Sequence, residues 1–246
     1  MTPRDPQPGS QPGVAAGGRA VTSLHERVWA ALGTVLDPEL DEPITDLDFV
    51  ESCTVSTEGV ATVGLRLPTF FCAPNFSFLM VADAYDAVSA VAGVTRADVT
   101  LADHHASAEI NGGVAAQAGF VGSFGSQATA ELHELRRQFF GKAALAGQDR
   151  VARPLVDAGI GPHELAELTL AAVPPSPDLT RLRQRRAALG LPHDDHAPLL
   201  IHPDGSRVTP AQVPLHLRRA RLQRVGIETN GEYCKSLLQT RYPAVH

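Results

Sequence analysis

The stretch FVESCTVSTEGVATVGLRL, residues 49–67, consists of two runs rich in β-branched and apolar residues, separated by TEG. Such runs are typical of β-strands, and a short polar segment with a glycine between them forms a tight turn. The stretch therefore predicts a β-hairpin, and it indicates that this part of the chain is built on a small sheet.

The sequence on either side of the hairpin predicts helices and one further strand. Before it, SLHE predicts a capping box between Ser23 and Glu26, and apolar residues then recur at helical spacing. After it, NFSFLMVADAYDAVSAVAG predicts a helix that Asn75 caps, and VTRADVTLAD predicts another strand. The predicted order is α–β–β–α–β over residues 23–103, a compact α/β domain with a small sheet.

The remainder of the chain predicts a leader, a linker and a second domain. Residues 1–22 are rich in proline, glycine and polar residues, which predicts a disordered leader. Residues 104–128 are rich in glycine and alanine and show little periodicity, which predicts a linker. Residues 129–246 predict a mainly α-helical domain with one β-hairpin, at LLIHPDGSRV. The expected fold class is therefore α+β.

Charge is unevenly distributed along the chain, whose formal net charge is −6. Residues 178–246 hold 11 Lys/Arg against 6 Asp/Glu, whereas residues 1–177 hold 10 against 21. The two parts are therefore expected to attract each other or to bind different partners. Because the arginine-rich helices carry no interleaved aromatic residues and no recognised binding motif, we expect no nucleic-acid partner.

The apolar runs and the cysteines indicate the compartment. No apolar run approaches the ~20 residues that span a bilayer, and the N-terminus lacks the apolar core of a secretion signal. We therefore expect no membrane association and a cytoplasmic location. Cys53, Cys72 and Cys234 are then expected to be reduced thiols rather than a disulfide framework.

The segment RLPTFFCAPNFSF places Cys72 at the junction between a predicted strand and a predicted helix. A thiol just before a helix N-terminus feels the positive end of the helix dipole, which favours the thiolate, the form that attacks electrophiles and binds soft metals. Free cysteine is also among the most buried residue types. The sequence therefore leaves two possibilities for Cys72, a packed thiol and a reactive one. Its position in a loop favours a functional role.

The acidic segment DPELDEPITDLD holds six carboxylates in twelve residues. Most of them are expected to lie in a solvated turn, with Asp41 and Glu42 exposed. Asp46 lies between apolar residues at the entry to the hairpin, so we expect it to be partly buried and to need hydrogen-bond partners. Thr69 and the backbone amides near Cys72 are the candidates.

The segment DPELDEPITDLDFV, followed by the hairpin and then TFFCAP, resembles the pattern of the PaaD/SufT-type iron–sulfur cluster assembly domain. The family pattern has Asp-Pro-Glu, an Ile or Val ahead of Asp-Leu-Gly, and a Thr three residues before a Cys. The predicted α–β–β–α–β order also agrees with the family fold. The resemblance covers the predicted domain, residues 23–103.

The resemblance implies a role in assembling iron–sulfur or related metal centres, or in delivering them to client metalloproteins together with other assembly proteins. It places the functional cluster at Asp46, Thr69 and Cys72, with Asp37 and Glu39 shaping the first loop. One cysteine supplies too few ligands for stable coordination. Iron or a cluster is therefore expected to bind transiently at Cys72, or across a homodimer, and no stable cofactor is expected.

Two departures from the family pattern affect the geometry of the thiol. Asp48 stands where the family has glycine, so the backbone there need not take a positive φ. Ala73 separates Cys72 from Pro74, which shifts the helix start by one residue.

The chain continues well beyond the domain at residues 23–103 and has HLRRARLQRVGIETNGEYC near its end. In this longer form it is similar to two-domain actinobacterial members associated with soluble di-iron monooxygenases. Such an enzyme is the client that this similarity suggests.

The other candidate ligands are weaker. Cys53 lies inside a predicted strand and is expected to be structural. Cys234 lies one turn into a separate, short last helix, where it either packs or approaches Cys72 as a second soft ligand. Adjacent side chains on an extended chain point in opposite directions, so His104 and His105 are not expected to share one ion.

Three functions from different classes are open at this point. The first is a non-enzymatic assembly or maturation factor that carries iron or a cluster on Cys72. The second is a thiol-dependent enzyme in which a histidine distant in sequence activates Cys72. The third is a non-catalytic adaptor or accessory subunit of an oxygenase complex, with Cys72 packed in its interior.

Overall fold

The computed structural model describes residues 22–128 and 130–243, so the predicted leader lies outside the described residues except for Thr22. The N-terminal region contains five elements in the predicted α–β–β–α–β order: α1 (Leu24–Leu32), β1 (Val50–Val55), β2 (Val60–Leu65), α2 (Pro74–Ser89) and β3 (Arg96–Leu101). This part of the fold prediction is confirmed.

The three strands form one sheet in the order β1–β2–β3. The hairpin strands β1 and β2 are antiparallel, whereas β2 and β3 are parallel because α2 connects them. Val63 in the central strand pairs with Cys53 on one side and Val99 on the other. These residues lie on the face that packs against α1 and α2, and this face forms the first hydrophobic core.

The starts of α1 and α2 depend on different residues. The capping box of α1 is present, with the Glu26 N–H donating to Ser23 Oγ (3.1 Å) and the Ser23 N–H to Glu26 Oε2 (2.6 Å). The predicted cap at Asn75 is wrong, because α2 begins one residue earlier, at Pro74, with Ala73 in the N-cap position. Proline already has the φ of a first helical turn, and at the first helical position its missing N–H is one that would have no partner within the helix.

Residues 104–128, predicted to be a linker, contain α3 (Ser107–Ala115) and α4 (Gly119–Phe124), followed by a 3₁₀ turn. Ile110 and Val114 are buried in the first core. Gly113 allows α3 and α4 to approach closely, since a Cβ there would overlap the Ser123 side chain. These residues are therefore part of the packed structure.

The C-terminal region is mostly helical, as predicted, with α5 (His133–Asp157), α6 (Pro162–Glu167), α7 (Pro177–Ala188) and α8 (Val213–Arg241). The predicted hairpin is reduced to a turn, closed by a bridge between Ile201 and Arg207 and by the His202 N–H donating to Ser206 O (2.8 Å). The α+β class of the chain is confirmed. Within the described ranges, no helix is long and apolar enough to cross a membrane.

The long helix α8 connects the two hydrophobic cores. A separate last helix was expected, but α8 continues without interruption through Gly226 and Gly231. Val213, at its start, is buried in the second core, which α5, α6 and α7 also form, whereas Leu238, near its end, is buried in the first core. The division into domains at residues 23–103 and 129–246 stays a prediction, since α8 packs in both cores.

Candidate functional site around Cys72

Cys72 lies in the loop between β2 and α2 and is half-buried. Thr69 Oγ1 lies 3.3 Å from Cys72 Sγ, and the same hydroxyl accepts a hydrogen bond from the Phe71 N–H (3.2 Å). With the backbone donor bound to its lone pair, the Thr69 O–H is free to donate to the sulfur. Thr69 and Cys72 are therefore in contact.

His104 fixes the position of the Cys72 loop through hydrogen bonds. Its Nδ1 accepts from the Ala106 N–H (3.2 Å), so the ring proton is on Nε2, which donates to Cys72 O (2.7 Å) and lies 3.3 Å from Ser77 Oγ. Burial lowers the pKa of His104, which favours this neutral ring. The imidazole therefore positions the backbone of Cys72. From the sequence, His104 and His105 were considered only for a metal site, and no local pattern singled out this positioning role.

Asp46 is not part of this arrangement. It is exposed, its carboxylate accepts from Thr45 Oγ1 (3.3 Å), and no hydrogen bond in the described ranges joins it to Thr69 or Cys72. The expectation that Asp46 is partly buried is therefore wrong. Its N–H donates to Pro43 O (3.0 Å) in a tight turn, and this turn leaves its side chain at the surface.

Asp48, in the same turn, also differs from the expectation. Its φ is 58°, so the backbone keeps the left-handed conformation that the family's glycine adopts readily. Aspartate tolerates this region better than most residues. The substitution of glycine by aspartate therefore preserves the turn at an energetic cost.

Asp37 lies at the start of the acidic segment and is buried. Its Oδ1 accepts from the N–H groups of Glu39 and Leu40, both at 2.8 Å, which closes the first loop. Burial raises the pKa of Asp37 to about 6, and the charges of Glu39 and Glu42 act in the same direction, against the two hydrogen bonds. Glu39 itself is exposed.

Cys234, on α8, is half-buried and packs against the same core as Cys72. Burial raises its pKa to about 11, and the negative charges of Asp37, Cys72 and Glu39 add to this effect. The structure therefore brings Cys234 into the electrostatic surroundings of Cys72. Among residues 22–128 and 130–243, no three His, Cys, Asp or Glu side chains form a ready-made metal site.

Residues 25–99 match the sequence model of the family described as iron–sulfur cluster assembly protein. The N-terminal region is an iron–sulfur cluster assembly domain. The match contains Asp37, Thr69 and Cys72 but ends before His104 and Cys234, and it indicates a function of the iron–sulfur cluster assembly type. No curated protein and no solved structure matches the chain.

The last turns of α8 dock onto the assembly domain through ion pairs and hydrogen bonds. Lys235 Nζ lies 2.8 Å from Glu42 Oε2. Arg241 donates to the backbone oxygens of Leu67 (3.0 Å) and Asp103 (2.6 Å). These contacts hold the end of α8, which carries Cys234, on the assembly domain.

A second electrostatic contact joins α7 to the acidic segment. Arg185 Nε donates to Asp41 Oδ1 at 2.5 Å, and both side chains are buried. The expectation that Asp41 and Glu42 are exposed in a solvated turn is wrong, because each is paired with a cation from the C-terminal region. Ion pairs therefore join the acidic segment to the C-terminal region at two points.

Proposed function

We propose that the chain is an assembly or maturation factor that binds iron or an iron–sulfur cluster transiently through Cys72 and delivers it to a client metalloprotein. The observation that carries this proposal is the position of Cys72: a half-buried thiol in a loop of the assembly domain, with Thr69 Oγ1 3.3 Å from its sulfur. A thiolate is the ligand that iron–sulfur clusters prefer.

Cys234 is proposed as the second soft ligand. Its raised pKa keeps the thiol protonated at neutral pH, so it binds metal only when the cation displaces its proton. A bound cation also offsets the negative charges of Asp37 and Glu39 that disfavour the thiolate. Binding that must first deprotonate a ligand is weak and pH-dependent, which suits a cargo that is handed on. The remaining ligands would come from the client or from a second copy of the chain.

The geometry around Cys72 favours a carrier over a thiol-dependent enzyme. A catalytic cysteine needs a base that takes its proton. His104 directs Nε2–H at Cys72 O, and His105 Nδ1 lies 3.0 Å from Phe70 O. Neither contact places a basic nitrogen at the sulfur.

Two aromatic side chains next to Cys72 are proposed as part of the client surface. Phe70 and Phe71 are 44% and 77% exposed, and their rings pack edge to face at 5.1 Å. Exposed aromatic pairs of this kind are typical anchors of protein interfaces. The client is proposed to be a component of a di-iron monooxygenase. This part of the proposal rests only on the similarity of the whole chain to two-domain members associated with such enzymes.

Anaerobic reconstitution with ferrous iron and sulfide tests the carrier proposal. Wild type, Cys72→Ala, Cys234→Ala and the control Cys53→Ala, which removes a thiol from the sheet, are compared by iron content and absorption. We expect wild type and Cys53→Ala to bind equally, Cys234→Ala to bind less tightly, and Cys72→Ala to bind no iron above background. Equal binding by wild type and Cys72→Ala would exclude the carrier role.

Affinity capture from cell extract, followed by mass spectrometry, tests the client proposal. Iron-loaded wild type is expected to retain a di-iron monooxygenase component, and Phe71→Ser is expected to retain less of it while binding iron normally. Retention of unrelated metalloproteins in its place would reject this client and leave the carrier proposal standing.

A further inference from the structure

A cavity of about 540 Å³ lies in the C-terminal region, between α5, the end of α7 and the turn that follows Ile201. Its size is that of sites for small organic ligands. Part of its wall is apolar, formed by Leu145, Leu189, Leu191 and Ile201. None of its lining residues belongs to residues 25–99, so it is separate from the assembly domain.

The wall of the cavity contains a buried cation without a counter-ion. Arg186 is fully buried, and its Nη1 and Nη2 donate to Pro198 O (2.8 Å) and Leu199 O (2.6 Å). In the described part of the chain, its Nε has no hydrogen-bond partner and no carboxylate lies within ion-pair distance. Burial lowers the pKa of Arg186 to about 10, so the guanidinium is charged at neutral pH. A buried, unpaired charge is costly, and a bound anion would offset that cost.

Gln148 supplies a second donor on the same wall. Its Oε1 accepts from the Ile201 N–H (2.8 Å), which fixes the orientation of the amide, and it lies 3.0 Å from His216 Nε2. The amide nitrogen therefore points away from the Ile201 N–H and His216 Nε2, and within the described ranges it makes no hydrogen bond. Gln148 lines the cavity, so these N–H groups are available to a ligand there.

The charged groups at the rim do not neutralise Arg186. Arg137 and Lys142 are exposed cations, while Glu134 and Asp204 are exposed anions. The Asp204 carboxylate is occupied by the N–H (2.9 Å) and hydroxyl (2.6 Å) of Ser206. The rim is thus close to neutral, and the uncompensated charge is that of Arg186.

We propose that this cavity binds a small organic anion, with its carboxylate or sulfonate group near Arg186 and Gln148 and its apolar body against Leu145, Leu189 and Leu191. This site goes beyond the proposed carrier function and does not depend on it. Hydrogen bonds to a charged group are worth about 1.5–3 kcal/mol, so an anion should bind roughly 10- to 100-fold more tightly than a neutral molecule of the same shape.

Fluorescence titration with anilinonaphthalene sulfonate tests the proposal, with octanoate and 1-octanol as competitors. Gly141 lines the cavity, and in the described part of the chain a Cβ at this residue meets no atom within 4 Å, so Gly141→Leu fills the cavity without a clash at Cβ. Gly226 on α8 is equally open but does not line the cavity, which makes Gly226→Leu the matched control.

We expect wild type and Gly226→Leu to bind one dye molecule saturably, and octanoate to displace it at a concentration at least about tenfold lower than octanol. Gly141→Leu should weaken dye binding at least about tenfold. Arg186→Met should abolish the preference for octanoate; if this variant does not fold, Gly141→Leu still decides the test. Equal binding by Gly141→Leu and wild type, or equal competition by octanol and octanoate, would overturn the proposal.

Discussion

The ion pair between Arg185 and Asp41 makes a quantitative test of how the C-terminal region is held on the assembly domain. The Arg185 Nε to Asp41 Oδ1 distance is 2.5 Å, and the side chains are only 9% and 4% exposed. Within the described residues, Asp41 Oδ2 has no hydrogen-bond partner, so the arginine is the main compensation for this carboxylate. The guanidinium also lies 5.3 Å from the centre of the Phe140 ring.

Arg185→Met removes the cation and retains most of the apolar stem. It leaves the Asp41 carboxylate buried without a charged partner, which should lower the free energy of unfolding by about 3–5 kcal/mol. Asp41→Asn is the matched second change, because asparagine also tolerates the φ of 53° at this residue. In the double variant neither charge is left unpaired, so its loss should be smaller than the sum of the single losses by about 1–3 kcal/mol.

Urea denaturation followed by circular dichroism measures the three variants. Arg96→Met is the control, since Arg96 pairs with Asp98 on the surface and its removal should not change the urea midpoint measurably. A loss of under about 1 kcal/mol for Arg185→Met, or additive losses in the double variant, would refute the reasoning, since the pair would then not be a buried contact.

Three further predictions concern Asp37, Asp48 and Cys234. Burial raises the pKa of Asp37 from 3.8 to about 6, so wild type loses stability relative to Asp37→Asn as the pH rises from about 4 to about 6. In urea unfolding the variant should gain up to about 3 kcal/mol on wild type by pH 8, and a difference that does not vary with pH would contradict this. Asp48→Gly should raise the free energy of unfolding by about 0.5 kcal/mol, because glycine adopts a φ of 58° without strain; a lower melting temperature would be the opposite result. With a thiol pKa of about 11, Cys234 should be alkylated by iodoacetamide about tenfold faster per pH unit between pH 7 and pH 10, and a rate that levels off below pH 9 would disagree.

The features that the sequence predicted correctly are local ones. The hairpin and the capping box of α1 depend on residues within a few positions of each other, so their patterns are visible in a single segment. Thr69 and Cys72, which the family resemblance places in one cluster, also lie in one short loop and are in contact. The family resemblance rested on such segments, and the match to residues 25–99 confirms it.

The features that the sequence did not predict depend on contacts between distant segments. Asp41 is buried and pairs with Arg185 of α7, more than a hundred residues further along the chain. His104 contacts the Cys72 loop because the parallel placement of β3 brings its C-terminal end beside that loop. No pattern near Asp41 indicates a partner in α7, and a histidine after a strand has many other roles. The alanine- and glycine-rich helix α3 was missed since small residues weaken the periodic signal of burial.

The central claim is that Cys72 carries the cargo that the chain delivers. Its most direct test is anaerobic transfer of a reconstituted cluster to an apo-ferredoxin of the [2Fe–2S] type, followed by the circular dichroism of the acceptor. Cys53→Ala serves as the control for the loss of a thiol elsewhere. Wild type and Cys53→Ala are expected to fill the acceptor faster than free iron and sulfide do, and Cys72→Ala is expected to give only the rate of free iron and sulfide. Transfer by Cys72→Ala at the wild-type rate would contradict the account.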